Sequence, residues 1–400
     1  MLLNNWREKM NNKVLFASRI LVGNELTPIL NGCIVIVDGK IEKITTQENF
    51  LNENTNADYE KIDLGDCTVM PGMIDCHNHL SLDARLHGHL DMMNICSEAE
   101  LTVMAIKSMK DDLMSGVTTA RCLGDRNYID VCLKKQVEKG NVIGPNLLVC
   151  GIGMRSIHGH GYVGLPHSGV EEVRRTAREN MAQGVDLLKI FITAGAPPMN
   201  GGWVPYFMTY EEMKTVVDEG KQLNLNTSAH CVGGEGLKIG VKAGVEIFEH
   251  VYCATDDELE LIQKNDRWID LTSGIFLDPS REQFCPESFV KNVHKNRELV
   301  FNTLQKVVKN GMKFSLGTDA YHTFLYREVE YANQLGASVV DSIKGVTVNA
   351  AIMCGIQNKT GSIAENLAAD IIAVKGNPLE NVSCLSQVTF VMKDGKVYKM

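Results

Sequence analysis

What this chain of 400 residues lacks already narrows what it can be. It has no run of 18 apolar residues, so no membrane-crossing helix is expected. The amino-terminal stretch Met1–Lys9 has no long apolar segment of the kind a secretory signal needs. There is no excess of positive charge. Forty Lys and Arg against 49 Asp and Glu leave a formal net charge of −9, which argues against nucleic acid as the main partner, because phosphate contacts need a basic face. The 12 cysteines form no CxxC pair and no regular spacing. Several of them (Cys33, Cys122, Cys150) lie inside apolar, strand-like runs, as reduced buried thiols do in a cytoplasmic protein. No Gly-rich phosphate fingerprint follows any strand-like run.

What is present begins and ends with strands. Val14–Ile20, Cys33–Val37 and Lys40–Ile44 read as strands, the last two joined by an Asp38-Gly39 turn, which is a strong hairpin signal. The carboxyl end repeats the pattern with Asp370–Val374, Gln387–Met392, an Asp394-Gly395 turn and Lys396–Lys399. Isolated hairpins are rarely stable alone, so the two ends are expected to combine into one small β-sandwich of residues 1–69 plus 361–400.

Between them, strand and helix patterns alternate. Apolar runs occur at Val69–His77, Gly116–Leu123, Asn146–Gly151, Asp186–Ile192, Asn226–His230, Val245–His250, Trp268–Thr272 and Lys313–Asp319. Helical patterns separate them. Residues 170–184, for example, carry Val173, Ala177 and Met181 on one face. Eight such alternations over residues 70–360 predict an α/β fold, a (β/α)8 TIM-type barrel. A doubly wound open sheet is the alternative, weakened by the missing phosphate fingerprint.

A barrel carries its chemistry at the carboxyl ends of its strands, and the unusual residues of this chain stand there. The first run closes on His77 and His79, whose side chains share one strand face about 6–7 Å apart and can grip one metal ion. The fifth closes on His230, the sixth on Glu249-His250 and the eighth on Thr318-Asp319. In the fourth, Lys189 stands in the middle of Asp186-Leu-Leu-Lys-Ile-Phe-Ile192. A buried, unpaired ammonium is costly. Lys189 must pair with an acid, lose its proton, or take up CO2 as a carbamate, an anionic oxygen ligand beside metals.

Taken together, Pro71-Gly-x-Ile-Asp-x-His-x-His, Gly116-Val-Thr-Thr-Ala-Arg121, Lys189, His230, Glu249-His250, Gly317-Thr-Asp319 and the segment Gly361–Asp370 resemble the amidohydrolase superfamily, closest to its imidazolonepropionase-like and Xaa-Pro/Xaa-Arg dipeptidase branch. The resemblance implies two divalent metal ions, zinc being well suited to such ligands. It places His77, His79 and Asp319 on one ion, His230 and His250 on the other, and carboxylated Lys189 and a hydroxide between them. It implies that Asp319 takes a proton from the attacking hydroxide and passes it to the leaving nitrogen. His160, in Gly159-His-Gly161, matches a histidine that polarises the substrate carbonyl, although His158 lies two residues away. Arg155 and Tyr162 of the same loop are candidate substrate contacts, Arg155 for a carboxylate. The branch commonly has a tyrosine two residues after the fifth-strand histidine. Val232 stands there and donates no hydrogen bond, which counts against plain dipeptidase activity. The loops 80–97, 154–169, 194–209 and 274–287 are expected to shape the pocket.

The function so implied is hydrolysis of an amide C–N bond in a small molecule of dipeptide or N-acyl amino acid type, by a cytoplasmic, homo-oligomeric enzyme. Ring opening of a cyclic amide or deamination of a heterocycle is the second reading, disfavoured because such deaminases usually lack the bridging lysine. A non-catalytic scaffold is the third, disfavoured because every ligand position is filled.

Overall fold

The computed structural model describes residues 12–53 and 59–400. The stretch Met1–Lys9, expected to carry no secretory signal, lies outside them. The chain groups into two compact units, one of Met1–Ile74, Asp112–Thr119 and Ser338–Met400, the other of Asp75–Asp111 and Ala120–Ala337. Among the described residues, no helix is long and apolar enough to cross a membrane.

The first unit is built on an eight-stranded sheet to which both chain ends contribute. Ile371–Lys375 runs antiparallel to Cys67–Pro71, which runs parallel to Lys13–Val22. Thr27–Val37 and Lys40–Thr46 complete one side, and Val388–Lys393 and Lys396–Lys399 the other. Asp38 (φ 49°) and Gly39 (φ 78°) both adopt the left-handed conformation of a type I′ turn, the geometry whose twist matches a hairpin. Alternate side chains of these strands, among them Leu15, Ile20, Ile34, Ile36, Val69, Ile371 and Phe390, bury into one core.

Residues 67–78 divide where one strand was expected. Cys67–Pro71 belongs to the sheet above, and Met73–Asn78 starts another, beside Val117–Cys122 and Asn146–Val149. Gly72 marks the break. A Cβ there would lie 2.1 Å from Thr118 Oγ1, so only glycine permits this approach.

In the second unit, Leu188–Phe191, Thr227–Cys231, Ile247–His250, Trp268–Leu271 and Phe314–Leu316 run parallel in that order. Their register aligns Phe191 with His230, His230 with Glu249, Glu249 with Asp270, and Asp270 with Ser315. Because side chains alternate, Lys189, Ser228, His230, Glu249, Asp270 and Ser315 share one face. Two backbone bonds join this sheet to neighbouring strands: Asp186 N–H donates to the Val149 carbonyl (2.8 Å) and Asp319 N–H to that of His77 (2.8 Å). Helices cover the apolar face. Tyr210–Lys221 and Asp256–Lys264 open with capping boxes, Thr209 with Glu212 and Thr255 with Glu258. In the helix Val170–Gln183 the buried stripe is Val173, Thr176, Ala177 and Asn180, with Met181 only half-buried. Asn180 is satisfied there because its amide holds both polar groups of the Ile152 peptide (3.1 and 2.8 Å).

Candidate active site

Five imidazoles stand in a continuous row, four at the carboxyl ends of strands and the fifth, His160, on the segment after Met154–Ser156. Ring centroids are 5.3 Å apart from His79 to His77, 4.9 Å from His77 to His250, 4.6 Å from His250 to His230 and 4.6 Å from His230 to His160. Asp319 faces them, its Oδ1 lying 3.4 Å from His77 Nε2 and 3.5 Å from His79 Nε2. Donor atoms of His77, His250 and Asp319 fall within 4.8 Å of one another. All six side chains line one cavity.

Four of the rings are oriented by their second nitrogen, the arrangement metal-ligating histidines need. His77 Nδ1 meets Glu249 Oε2 at 2.8 Å, His79 Nδ1 the Gly124 carbonyl at 2.8 Å, and His250 Nδ1 Thr272 Oγ1 at 2.7 Å. His230 uses Nε2 instead, 3.0 Å from the Ala194 carbonyl, which leaves Nδ1 for the site. Asp125 holds the turn after His79 by accepting from the Leu80 and Ser81 amides (3.0 and 2.9 Å). Burial holds His77, His230 and His250 well below the usual imidazole range and pushes His160 down to about 4. These rings are therefore neutral at pH 7 and keep a lone pair for a metal.

Beneath the row lies a buried polar layer. Glu249 accepts from Arg121 Nη2 at 2.7 Å and from Ser228 Oγ. Burial alone raises its carboxyl, but the charges of Arg121 and Lys189 outweigh this and leave it below its ordinary range. Asp270, held by Ser315, is raised well above its range by burial and by the neighbouring Glu249 charge. Asp75 ties the first strand end to the last. It accepts from the His77 and Thr318 amides (3.1 and 3.0 Å) and from Thr318 Oγ1 (2.7 Å). Burial also works against the Asp319 carboxylate, yet His77, His79 and Arg281 together hold it below its usual range, hence ionised. Backbone strain gathers at the same strand ends: His250 (φ 80°), Val251 (φ 46°), Asp319 (φ 50°) and Ala320 (φ 64°) are left-handed non-glycine residues.

Lys189 is fully buried, and its Nζ has no hydrogen-bond partner. Burial pushes the amine below its ordinary range. A buried polar atom left unmade is unfavourable, and Nζ sits on the same sheet face as His230 and Glu249. Neutral imidazoles, one ionised carboxylate and a lysine nitrogen in need of a further group are a donor set that fits divalent metal ions.

The cavity, about 180 Å³, is otherwise mostly apolar. One wall is Leu82, Leu90 and Met93, and another Ile275, Pro286 and Phe289. All four expected loops reach it, and Tyr162 lines it as well. Arg155 does not. Its Nη1 donates to the carbonyls of Ser156, Ile157 and Gly159 (3.2, 3.3 and 3.2 Å) and so braces its own loop. The arginine on the cavity wall is Arg281, within the 274–287 loop, which the sequence reading did not single out. Nor did it single out His89, which lines the cavity with its Nδ1 turned to the Leu86 carbonyl (2.9 Å).

Residues 68–399 match the model of the amidohydrolase family. The chain is 26% identical to ochratoxinase of Aspergillus niger, over 96% of this chain and 86% of that one. It is 22% identical to the imidazolonepropionase of Kosmotoga olearia, over 92% and 90%. Among solved structures it resembles a Xaa-Pro dipeptidase with methionine bound in its active site, with a TM-score of 0.83, 25% identity, and 97% of this chain and 100% of that one covered.

Proposed function

This chain belongs to the amidohydrolase family and is a hydrolase acting on C–N bonds; from that premise we propose that it cleaves an amide in a small substrate of dipeptide or N-acyl amino acid type at a binuclear metal centre. The observation that carries the proposal is the row of imidazoles and Asp319 around one cavity, beside a buried lysine whose Nζ lacks a partner. His77, His79 and Asp319 would hold one divalent ion, His230 and His250 the second, and carboxylated Lys189 would bridge them, with zinc the ion best suited to these donors. Such ions would polarise the scissile carbonyl and make water available as a nucleophile at neutral pH.

The chain's own groups do the rest. Asp319, ionised and at the cavity wall, takes the proton of the attacking water and delivers it to the leaving nitrogen. His160, neutral, donates one ring N–H to the carbonyl oxygen as charge develops there. The Glu249–Arg121–Ser228 layer keeps His77 in the tautomer that presents Nε2. The apolar walls exclude water and accept the uncharged part of the substrate.

We place this site in a (β/α)8 barrel of residues 70–360, with residues 1–69 and 361–400 forming a composite β-sandwich. The linking bonds from Asp186 to Val149 and from Asp319 to His77 support closure of the ring of strands, and the shared core of both chain ends supports the composite domain. Twelve cysteines, all unpaired thiols, fit a reducing, cytoplasmic setting. The test is turnover of a dipeptide and N-acyl amino acid library by zinc-loaded protein, read as released amino acid. Hydrolysis that Asp319→Asn abolishes supports the reading, and a library wholly resistant to loaded enzyme overturns it.

A further inference from the structure

His160 differs from the other four rings of the row. Each of those is tied to the protein through one nitrogen. Neither nitrogen of His160 has a hydrogen-bond partner among the described residues. A ring that presents an N–H to a developing oxyanion needs a fixed place, so packing has to supply what hydrogen bonding does not. His230 lies 4.6 Å away between ring centroids, and Phe191 meets the ring edge-on at 6.3 Å. Gly195, on the cavity wall, comes closer still. A Cβ built on Gly195 would fall 2.6 Å from Cε1, 2.8 Å from Nδ1 and 3.0 Å from Nε2 of His160. The three atoms nearest to it thus all belong to this one ring. Gly195 is not among the left-handed glycines, so its backbone conformation does not call for glycine. The ring does.

The backbone on either side is held. Ala194 N–H donates to the Pro205 carbonyl, the Ala194 carbonyl accepts from His230 Nε2, and Val232 N–H donates to Thr193 Oγ1, each at 3.0 Å. On the His160 side, Gly159 N–H donates to the Ser156 carbonyl (2.9 Å), and the Gly159 carbonyl accepts from Arg155 Nη1 (3.2 Å). Gly164 N–H donates to the Gly161 carbonyl (2.8 Å) and closes the turn that follows. The imidazole, at the end of a rotatable side chain, is the part that yields to an added methyl group. Relief of a 2.6 Å contact moves it by roughly 1 Å, and a misplacement of that size can cost about 10²-fold in rate.

We infer that Gly195 is a positioning residue: its bare Cα is the surface that sets the place of the His160 ring, and through that ring it governs the chemical step. The inference rests on the role given to His160 in the hydrolase reading and adds to it the residue that makes that role geometrically possible.

The experiment is a double-mutant cycle of Gly195→Ala and His160→Ala in zinc-loaded enzyme, with whichever library dipeptide or N-acyl amino acid the unaltered enzyme turns over fastest. Crystal structures of the unaltered protein and of Gly195→Ala accompany it. Gly195→Ala is expected to lower kcat about 10²-fold with KM and bound metal little changed. In the His160→Ala background the same substitution is expected to leave kcat as it was, because the ring it displaces is gone. In the crystals the His160 ring of Gly195→Ala should stand away from its place beside His230. A methyl group that lowers kcat equally without the ring acts on substrate or backbone, and that result would overturn the inference. So would an imidazole found in its original place in Gly195→Ala, or a His160→Ala variant as active as the unaltered enzyme. These results leave hydrolysis by the unaltered enzyme standing. If that enzyme turns over no member of the library, the hydrolase reading fails instead, and the crystals alone still decide whether Gly195 sets the ring.

Discussion

Lys189→Met should change stability in opposite directions with and without metal. Lys189 Nζ is fully buried without a hydrogen-bond partner, and burial already drives its amine toward the neutral form. Leaving such a group unsatisfied costs about 1–3 kcal/mol. Methionine has a similar length, needs no partner and fills irregular space well. In a chelating buffer the variant is therefore expected to be more stable than the unaltered protein by about 1–3 kcal/mol, an unusual sign for a core substitution. Zinc reverses the order. A ligand that binds only the folded state adds about 2.7 kcal/mol at a hundredfold excess over its Kd, and a protein without the bridging group loses most of that gain. Paired urea titrations, with chelator and with zinc, read both numbers. If Lys189→Met is the less stable protein in chelator and gains as much from zinc as the unaltered chain, the lysine is a structural residue and the bridging role is wrong.

Three further outcomes follow from the same geometry. Asp319→Asn should retain most bound metal while kcat falls by about 10²-fold or more, since a positioned acid–base group typically contributes 10²–10⁴-fold; metal analysis beside steady-state kinetics checks it. Glu249→Gln breaks the buried ion pair with Arg121 and should cost about 3–5 kcal/mol in denaturant unfolding, with zinc affinity weakened about 10–100-fold because His77 loses its orienting acceptor. Asp130, pushed up from 3.8 to about 7 by burial, holds its proton in the fold and loses it when unfolded. Its contribution therefore falls as pH rises from about 4 to about 7 and is flat above, a loss on the order of 4 kcal/mol. Asp130→Asn should remove that slope from a stability-against-pH series, and an unchanged slope would contradict the assignment.

Much of the site was legible because strand periodicity and chemistry reinforce one another. An apolar run that ends in His-x-His, or that contains a lysine, breaks the pattern of burial, and the break marks function. His77, His79, His230, His250 and Asp319 were all placed at strand ends in this way, and all line one cavity. What stayed hidden depends on tertiary neighbours. The split at Gly72 comes from Thr118, distant in sequence. The short helix His89–Ile95, which supplies Leu90 and Met93 to the cavity, starts at a left-handed Gly88 without a side-chain cap, so no local signal announced it. Arg155 stands on the short strand Met154–Ser156 and Arg281 in the 3₁₀ turn Pro279–Phe284, and nothing in their flanking residues says that the first turns to nearby backbone carbonyls and the second to the cavity. Asn180 in place of Met181 on a buried helix face is likewise set by the Ile152 peptide it satisfies.

The account turns on two metal ions gathered by one lysine, four histidines and one aspartate, and metal content tests that most directly. Protein purified without chelator, equilibrated with zinc and freed of excess, should carry about two divalent ions per chain by plasma mass spectrometry. A reproducible content of one ion or none in protein that hydrolyses its substrate would contradict the binuclear centre.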